Sequence, residues 1–222
     1  GSVVLNNSTV SGNVAEGLWG TGGGIFNGDT LTLNSSTVSD NTADVTRAGG
    51  IYTDPINFNV VPVTTLRNSI VADQAGGTDC GASILVPPAA LVSAGYNIDS
   101  DDTCNLGWLD QPNTAPLLKP LANYGGPTKT HNLDDGSPAI DAGDPFGCMG
   151  DVDGDGVLDG VIATDQRGQI RLDVPFVGWQ LPSPCDVGAV EYNLVFNGMM
   201  EDDFDRDRQP DGWLGSQLRG SD

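Results

Sequence analysis

Four aspartates at fixed spacing carry the clearest chemical signal in this sequence. In DVDGDGVLDG, residues 151–160, aspartates stand at positions 1, 3, 5 and 9, and a glycine stands at position 6. Alternate carboxylates can converge on one cation, and the glycine permits the sharp turn of an EF-hand-type calcium loop. The segment therefore predicts a Ca²⁺ site. Its predicted ligands are four carboxylates and one backbone carbonyl, those of Asp151, Asp153, Asp155, Val157 and Asp159.

Position 12 of an EF-hand loop carries a bidentate glutamate, but this chain has Ile162 there. The match is therefore closer to the calcium loops of thrombospondin type 3 and dockerin-like repeats, and the last ligand must come from elsewhere. A solvated acidic loop is the alternative. A weaker cluster in DFDRDRQPDGW predicts a second Ca²⁺ site, with Asp205, Asp207 and Asp211 as ligands and arginines between them.

Four cysteines offer a second kind of chemistry. Cys80, Cys104, Cys148 and Cys185 have neither CxxC spacing nor a histidine at zinc-ligand spacing. An even number of cysteines in a lysine-poor chain rich in Asn, Ser, Thr and Gly is typical of disulfides formed outside the cytoplasm. Of the three possible pairings, we favour Cys80 with Cys104 and Cys148 with Cys185, since each would staple a loop-rich insertion. Free buried cysteines are the alternative.

Three copies of one repeat precede the acidic clusters and indicate how the chain is built. VVLNNSTVSGNVA, LTLNSSTVSDNTA and TTLRNSIVADQAG occupy residues 3–15, 31–43 and 64–76. Two apolar positions recur in them, the first at Leu5, Leu33 and Leu66 and the second at Val10, Val38 and Val71. The alternation and the β-branched residues predict strands. Copies stacked about 4.8 Å apart predict an all-β solenoid, a right-handed parallel β-helix.

Small and polar residues mark the corners of the predicted solenoid. Two polar ladders are expected, one of Ser8, Ser36 and Ser69 and one of Asn13, Asn41 and Gln74. Gly-Gly pairs at 23–24 and 49–50 each precede an apolar and an aromatic residue. They predict tight bends without room for a side chain.

One pair of aspartates has to be weighed as a catalytic site, because glycosidases use two carboxylates. Asp40 and Asp73 align on consecutive turns, so their carboxyls are expected to lie close together. The first repeat has Gly12 at this position, and corner aspartates more often belong to a solvated turn. His131, the only histidine, is expected to be a packing residue. We therefore predict that the chain is not an enzyme.

The segment GGGIFN, residues 22–27, followed by the second repeat resembles the β-helical repeats of bacterial surface proteins, including chlamydial polymorphic outer membrane proteins. Four later segments resemble the choice-of-anchor Q domain: NYGGPTKTHNL (123–133), SPAIDAGD (137–144), TDQRG (164–168) and CDVGAVE (185–191). Such a region typically follows β-helical repeats near the surface-attachment end of large secreted proteins. The resemblance implies a location and an architecture but no reaction. Within these motifs we expect Arg167 to be held by an aspartate, which would tie SPAIDAGD to TDQRG.

The expected organisation has three parts. Residues 1–110 supply the β-helix rungs. Residues 111–192 are irregular and proline-rich, and they predict a loop-rich, disulfide-stapled cap on the last rung, with the calcium-type insertion at 151–160. Residues 193–222 are expected to be a tail or the start of a following module. The chain starts inside a repeat without a signal peptide, so we expect a mature or excised part of something longer.

The charge balance limits the partners. Thirty acidic residues against nine basic ones give a net charge of −21, which would repel nucleic acid and anionic membrane surfaces. The longest apolar stretch is broken by Pro87 and Pro88, so no membrane insertion is expected.

These patterns together favour a non-enzymatic, secreted or cell-surface structural protein, such as a stalk, an adhesin segment or the subunit of a self-assembling fibre. The expected partners are another copy joined head to tail, neighbouring domains of a longer chain, or a glycan or other cell-surface ligand. The alternative is a polysaccharide-degrading β-helix, a hydrolase or lyase, that uses Asp40 and Asp73.

Overall fold

The computed structural model describes residues 1–17, 20–44, 47–56, 59–84, 88–151, 157–171 and 184–192. These ranges contain strands and turns, and no helix in them is long and apolar enough to cross a membrane. The strands are β1 (Ser2–Asn6), β2 (Thr9–Ser11), β3 (Ile25–Asn27), β4 (Thr30–Asn34), β5 (Thr37–Ser39), β6 (Ala48–Thr53), β7 (Val63–Arg67), β8 (Ile70–Ala72), β9 (Thr78–Ala82), β10 (Ala90–Ser93), β11 (Ile98–Asp99), β12 (Met149–Gly150) and β13 (Gly160–Val161).

Strands β1 to β11 form a parallel β-solenoid of about three turns, which confirms the predicted fold class. Each full turn contributes one strand to each of three parallel sheets. The first sheet has the order β1-β4-β7-β10, the second β2-β5-β8-β11 and the third β3-β6-β9. Strands of one sheet therefore come from successive turns, as stacked repeats require.

The predicted register of the repeats is confirmed. In the first sheet Leu33 pairs with Leu5 on one side and with Leu66 on the other. In the second sheet Val38 stands between Val10 and Val71 in the same way. Leu33, Leu66 and Val38 are almost fully buried and belong to one apolar cluster inside the solenoid. Burying each such side chain contributes about 1.5–3 kcal/mol, so the columns stabilise the fold.

Polar ladders connect the turns at the corners, as the sequence predicts. The amide of Ser8 donates to the Ser36 hydroxyl, and the amide of Ser36 donates to the Ser69 hydroxyl, each at 3.2 Å. In the second ladder the amide of Asn41 donates to Gln74 Oε1 at 3.1 Å. Buried corner groups thus find partners one turn away, which offsets the cost of removing them from water.

The Gly-Gly pairs have no room for a side chain, as predicted. A Cβ at Gly49 would lie 2.0 Å from the carbonyl oxygen of Gly76, and one at Gly23 would lie 2.4 Å from that of Thr42. Both contacts are with backbone of the next turn, which cannot move aside. The predicted bend is present at residues 23–24 but not at residues 49–50, which lie within β6 where the register shifts between Ala48 and Ile51.

Residues 100–110 cover the end of the solenoid core at the last turn. Leu106 packs against the inner apolar cluster, and Asn105 Nδ2 donates to the Leu91 carbonyl at 3.2 Å. Asp110 Oδ1 accepts the amide of Asn97 at 2.8 Å. This short segment thus provides hydrogen-bond partners for backbone groups of the outermost strand and corner.

The loop-rich region 111–192 lies along the second sheet, in contact with several turns, whereas the sequence predicted a cap on the last rung. Ile70 and Ala72 of β8 and Ile98 of β11 point outward, into a second apolar cluster with Leu133 and Val187 of this region. The physical reason is the third repeat, which places apolar residues on the outward face of the sheet and so needs a cover.

Polar contacts extend this lateral packing to the first turn. Thr9 of β2 donates its hydroxyl to Gln166 Oε1 at 2.6 Å, and the amide of Ala189 donates to the Thr37 hydroxyl at 3.0 Å. At the last turn, Gln111 pairs with Ile98. The region therefore joins all turns of the solenoid instead of only closing its end.

Residues Gly1–Tyr192 form one compact unit, which contains both the solenoid and the loop-rich region. Residues Asn193–Asp222 form a second unit, which lies outside the described residues.

Candidate functional site

A two-stranded hairpin closes the ends of the predicted calcium loop. β12 and β13 pair antiparallel with Gly150 opposite Gly160, and this brings Asp151 and Asp159 to the same end of the hairpin. The amide of Asp159 donates to the carbonyl of Gly150 at 3.2 Å. Asp151 is buried, whereas Asp159 is exposed. Two of the predicted carboxylates are thus placed at the same end of this hairpin.

The described residues include only some of the remaining predicted ligands. Asp153 and Asp155 lie outside the described residues, so their convergence stays a prediction. The whole second cluster, Asp205, Asp207 and Asp211, lies outside the described residues as well. Ile162, at the position of the missing glutamate, is buried against Cys148 and Cys185 and is therefore a packing residue.

Both predicted disulfides are present. Cys80 bonds Cys104 across 24 residues, and Cys148 bonds Cys185 across 37 residues. The first bond ties the third sheet to the segment that covers the last turn. The second bond ties the base of the β12–β13 hairpin to the segment that crosses the second sheet.

An acidic trio that the sequence analysis did not single out lies beside the first disulfide. Carboxylate oxygens of Asp79, Asp99 and Asp101 all lie within 4.8 Å of one another, a spacing that one cation could bridge. Asp79 and Asp99 are buried and Asp101 is exposed. Asp79 Oδ2 accepts the amide of Ser100 at 2.8 Å and its hydroxyl at 2.6 Å.

Burial is the main influence on the electrostatics of the trio. Burial and, to a smaller extent, the carboxylates of Asp101 and Asp99 raise the pKa of Asp79 to about 7, although the hydrogen bonds from Ser100 oppose the rise. The pKa of Asp99 is also raised, again chiefly by burial. These carboxyls therefore tend to share protons. The signal in the sequence was the disulfide pairing, because a Cys80–Cys104 bond brings Asp79 next to residues 99–103.

Asp40 and Asp73, the catalytic alternative, lie on adjacent turns as predicted. The amide of Asp40 donates to the carbonyl of Asp73 at 3.2 Å. Both residues have positive φ, 57° and 55°, and Gly12 in the first turn has φ 72°. Aspartate tolerates this left-handed conformation, so its presence at the corner is explained by the turn. Burial and the Asp40 carboxylate raise the pKa of Asp73, while His131 lowers it.

His131 is buried, and both of its ring nitrogens have partners. Nδ1 lies 2.8 Å from the carbonyl oxygen of Lys119, which can only accept, so Nδ1 carries the proton. Nε2 lies 2.8 Å from the Ser11 hydroxyl oxygen and 3.8 Å from the Asp40 carboxylate. The ring thus joins the loop-rich region to the first two turns, as a packing histidine does.

The predicted role of Arg167 needs correction. Its guanidinium binds Asp165 within its own motif, with Nη2 and Oδ2 2.7 Å apart, and it donates to Asn132 Oδ1 at 3.1 Å. It therefore ties TDQRG to NYGGPTKTHNL and not to SPAIDAGD. The segment SPAIDAGD is held by Asp186, whose carboxylate accepts the amide of Asp141 at 2.7 Å.

Arg171, which no sequence motif marks, is the largest fully buried side chain among the described residues. Nη1 lies 3.2 Å from Glu191 Oε2, and Nη2 donates to Asn7 Oδ1 at 2.8 Å and to the Gly188 carbonyl at 2.7 Å. Burial lowers the pKa of Arg171, and the neighbouring carboxylate of Glu191 opposes this effect. Arg171 thus links the loop-rich region to the first corner of the solenoid.

A scan of the chain against protein-family models found no match, and searches among curated proteins and among solved structures found none either.

Proposed function

We propose that this chain is a non-enzymatic structural module of a secreted or cell-surface protein, a β-solenoid stabilised by calcium that serves as a stalk or adhesin segment. The observation that carries the proposal is the lateral packing of residues 111–192. In a solenoid each turn otherwise contacts only its neighbours. Here Arg171 holds Asn7 of the first turn, and Asn68 of the third turn donates to the Asp186 carbonyl at 3.0 Å.

This packing gives the module resistance to unfolding from its ends. Separating the first turn exposes the buried Arg171, and separating the third turn exposes the apolar cluster around Ile70. Both events carry a large desolvation cost, because a buried charge or an apolar side chain then loses its partners. Such a unit suits a protein that has to keep its shape under load.

Two disulfides support a location outside the cytoplasm, where such bonds persist. The resemblance of the repeats to those of polymorphic outer membrane proteins, and of the later motifs to the choice-of-anchor Q domain, supports the same location. We assign the chain to this kind of surface protein as part of the proposal.

Calcium is the proposed stabilising ion, bound by Asp151, Asp153, Asp155, Asp159 and the carbonyl of Val157. The β12–β13 hairpin supports this, since it fixes the loop ends. Without a cation, the carboxylates of such a loop repel one another. The second acidic segment at residues 205–211 is retained as a proposed site on its sequence pattern alone.

Head-to-tail assembly with another copy, or with a neighbouring domain, is the proposed use of the first turn. Within the described ranges, β1, β2 and β3 pair on one side only. Leu5 is only partly buried, whereas its counterpart Leu33 is fully buried. A strand or turn added at this edge would complete the core.

Calcium binding is tested by isothermal titration of the full chain. We expect a bound Ca²⁺ that the Asp153→Asn variant loses from the 151–159 loop. Asp102→Asn is the matched control, because Asp102 is exposed and lies outside that loop. Equal calcium binding by all three proteins, or none by the wild type, would refute the role of this loop.

A polysaccharide-degrading enzyme is the second candidate, favoured by the position of Asp40 and Asp73 on adjacent turns, where the Asp40 carboxylate helps to raise the pKa of Asp73. A screen for turnover of neutral and acidic glycans separates the two functions. If the wild type turns over a glycan and Asp73→Asn abolishes this turnover without changing the melting temperature, the chain is an enzyme and the structural proposal is wrong. The absence of turnover on any glycan would support the structural proposal.

A further inference from the structure

A cavity of about 490 Å³ opens on the outward face of the third sheet. The described residues that line it all lie between positions 21 and 84, in the repeats of the solenoid. Its polar and aromatic lining consists of Thr21, Phe26, Arg47, Tyr52, Asp54 and Ser83. The volume falls within the roughly 300–1,000 Å³ of sites that bind small molecules.

Two aromatic rings form the floor of this cavity. Phe26 of β3 and Tyr52 of β6 are partners in the parallel register, with ring centroids 6.3 Å apart and ring planes inclined by 32°. Phe26 is 48% exposed. The next position of the column is Gly81, over which the Tyr52 ring lies, since a Cβ there would meet Tyr52 Cδ2 at 2.9 Å. The rings therefore present an apolar strip to solvent along the solenoid axis.

Two opposite charges flank the aromatic strip. Arg47 precedes β6 and Asp54 follows it, and both line the cavity. Arg47 is half-buried, and its guanidinium forms no hydrogen bond or ion pair with a described residue. In a chain with thirty acidic residues and nine basic ones, an unpaired guanidinium is unexpected. Its donors remain available for a ligand.

We propose that this cavity binds a neutral oligosaccharide. The C–H faces of sugar rings pack on Phe26 and Tyr52, while sugar hydroxyls accept hydrogen bonds from Arg47 and donate them to Asp54. Sugar hydroxyls can pair with both Arg47 and Asp54, because each hydroxyl can act as a donor and as an acceptor. Aromatic surface with a few convergent polar groups is the usual lining of such a site.

Other ligand classes fit less well. An anionic ligand would meet Asp54 and the net charge of −21, and a cationic one would meet Arg47. A purely apolar ligand would desolvate both charges without pairing them. A protein partner usually requires about 1,200–2,000 Å² of interface, and a concave cavity of this size does not provide that by itself.

This inference names a ligand for the surface module proposed above, and it rests on that proposal only for the setting outside the cell. The test uses the full chain with cellotetraose, laminaritetraose and mannotetraose as neutral probes and tetragalacturonate as the acidic probe. Binding is measured by saturation-transfer NMR and isothermal titration. We expect at least one neutral probe to bind with millimolar or better affinity, and more tightly than the acidic probe.

The variants locate the site. Tyr52→Ala and Phe26→Ala are each expected to weaken binding by about fivefold to tenfold. Phe146→Ala is the matched control, since Phe146 is 81% exposed and does not line the cavity. Arg47→Gln is expected to weaken binding, whereas Lys129→Gln is not. Circular dichroism checks that each variant keeps the wild-type melting temperature.

Three results would overturn the inference: no binding of any neutral probe, equal binding by wild type and Tyr52→Ala, or tighter binding of tetragalacturonate. The proposed function fails by different readouts. A melting temperature independent of calcium would remove the calcium proposal, and hydrolysis of a bound probe would remove the non-enzymatic one. Neither readout alters the conclusion drawn from the Tyr52→Ala comparison.

Discussion

Because the pKa of the buried Asp79 carboxyl is raised, we predict that the free energy of unfolding falls as pH rises. Its folded pKa of about 7 lies above the ordinary value of 3.8, so the folded chain holds a proton that the unfolded chain releases between these values. Asp79 therefore does not lower the free energy of unfolding below about pH 4. Its destabilising effect grows as pH rises and reaches its full size above about pH 7.

One pKa unit corresponds to about 1.4 kcal/mol, so a shift of this size sets an upper limit of about 4 kcal/mol on the contribution of Asp79. Because Asp99 shares the trio, we expect Asp79→Asn to recover about 1–3 kcal/mol of unfolding free energy at pH 8 and little at pH 4. The Asn carbonyl can still accept the two bonds from Ser100.

The assay is guanidinium unfolding at pH 4, 5, 6, 7 and 8 in the presence of a chelator, with Asp102→Asn as the control for removing one surface charge. The difference between the variant and wild type should grow between pH 4 and pH 7 and then level off. A difference that stays constant with pH, or that matches the control, would show that Asp79 does not carry a raised pKa.

Three further changes test the packing. Replacing Cys148 and Cys185 by serine removes the disulfide that closes a 37-residue loop and should lower the free energy of unfolding by about 3–4 kcal/mol. The variant should then melt at a lower temperature than the wild type under oxidising conditions and at the same temperature in reductant. Arg171→Met leaves the buried Glu191 carboxylate without its cation and should cost about 3–5 kcal/mol in guanidinium unfolding; a loss below 1 kcal/mol would mean that the pair contributes little. Ile70→Thr, the residue type of the first two repeats, should cost about 1–3 kcal/mol while circular dichroism still reports the solenoid.

The solenoid was predictable because its information is local and repeated. Leu33 and Val38 stand in columns whose other members occur at fixed spacing in the sequence, so register followed from alignment alone. The lack of room at Gly49 and the corner ladder of Asn41 were predictable for the same reason, since each has equivalents in another turn. The disulfide pairing followed from the loops that each bond would close.

The position of the loop-rich region was not predicted, although its signal is in the third repeat. Ile70 and Ala72 replace the Thr and Ser that face outward in the first two repeats, which makes that strand apolar on both faces. Such a strand needs a cover on its outer side. The covering segment contains no repeat, so only the folded chain shows that Arg171 reaches the first turn.

The acidic trio and the exposed aromatic strip were missed for different reasons. Asp79 and Asp99 are 20 positions apart and belong to no repeat, so only the Cys80–Cys104 pairing links their segments. Phe26 and Tyr52 are 26 positions apart and follow equivalent Gly-Gly pairs, so their alignment can be read from the sequence. The exposure of Phe26 on the outward face is seen only in the folded chain.

The melting temperature of the full chain in calcium and in chelator tests whether calcium stabilises this structural module. At a calcium concentration of about 100 times the dissociation constant, binding stabilises the folded state by about 2.7 kcal/mol. For a chain of this size that corresponds to a rise of about 5–10 °C. We expect this rise for wild type and for Asp102→Asn, and its loss in Asp153→Asn. A wild-type melting temperature that is the same in calcium and in chelator would contradict a calcium-stabilised structural module.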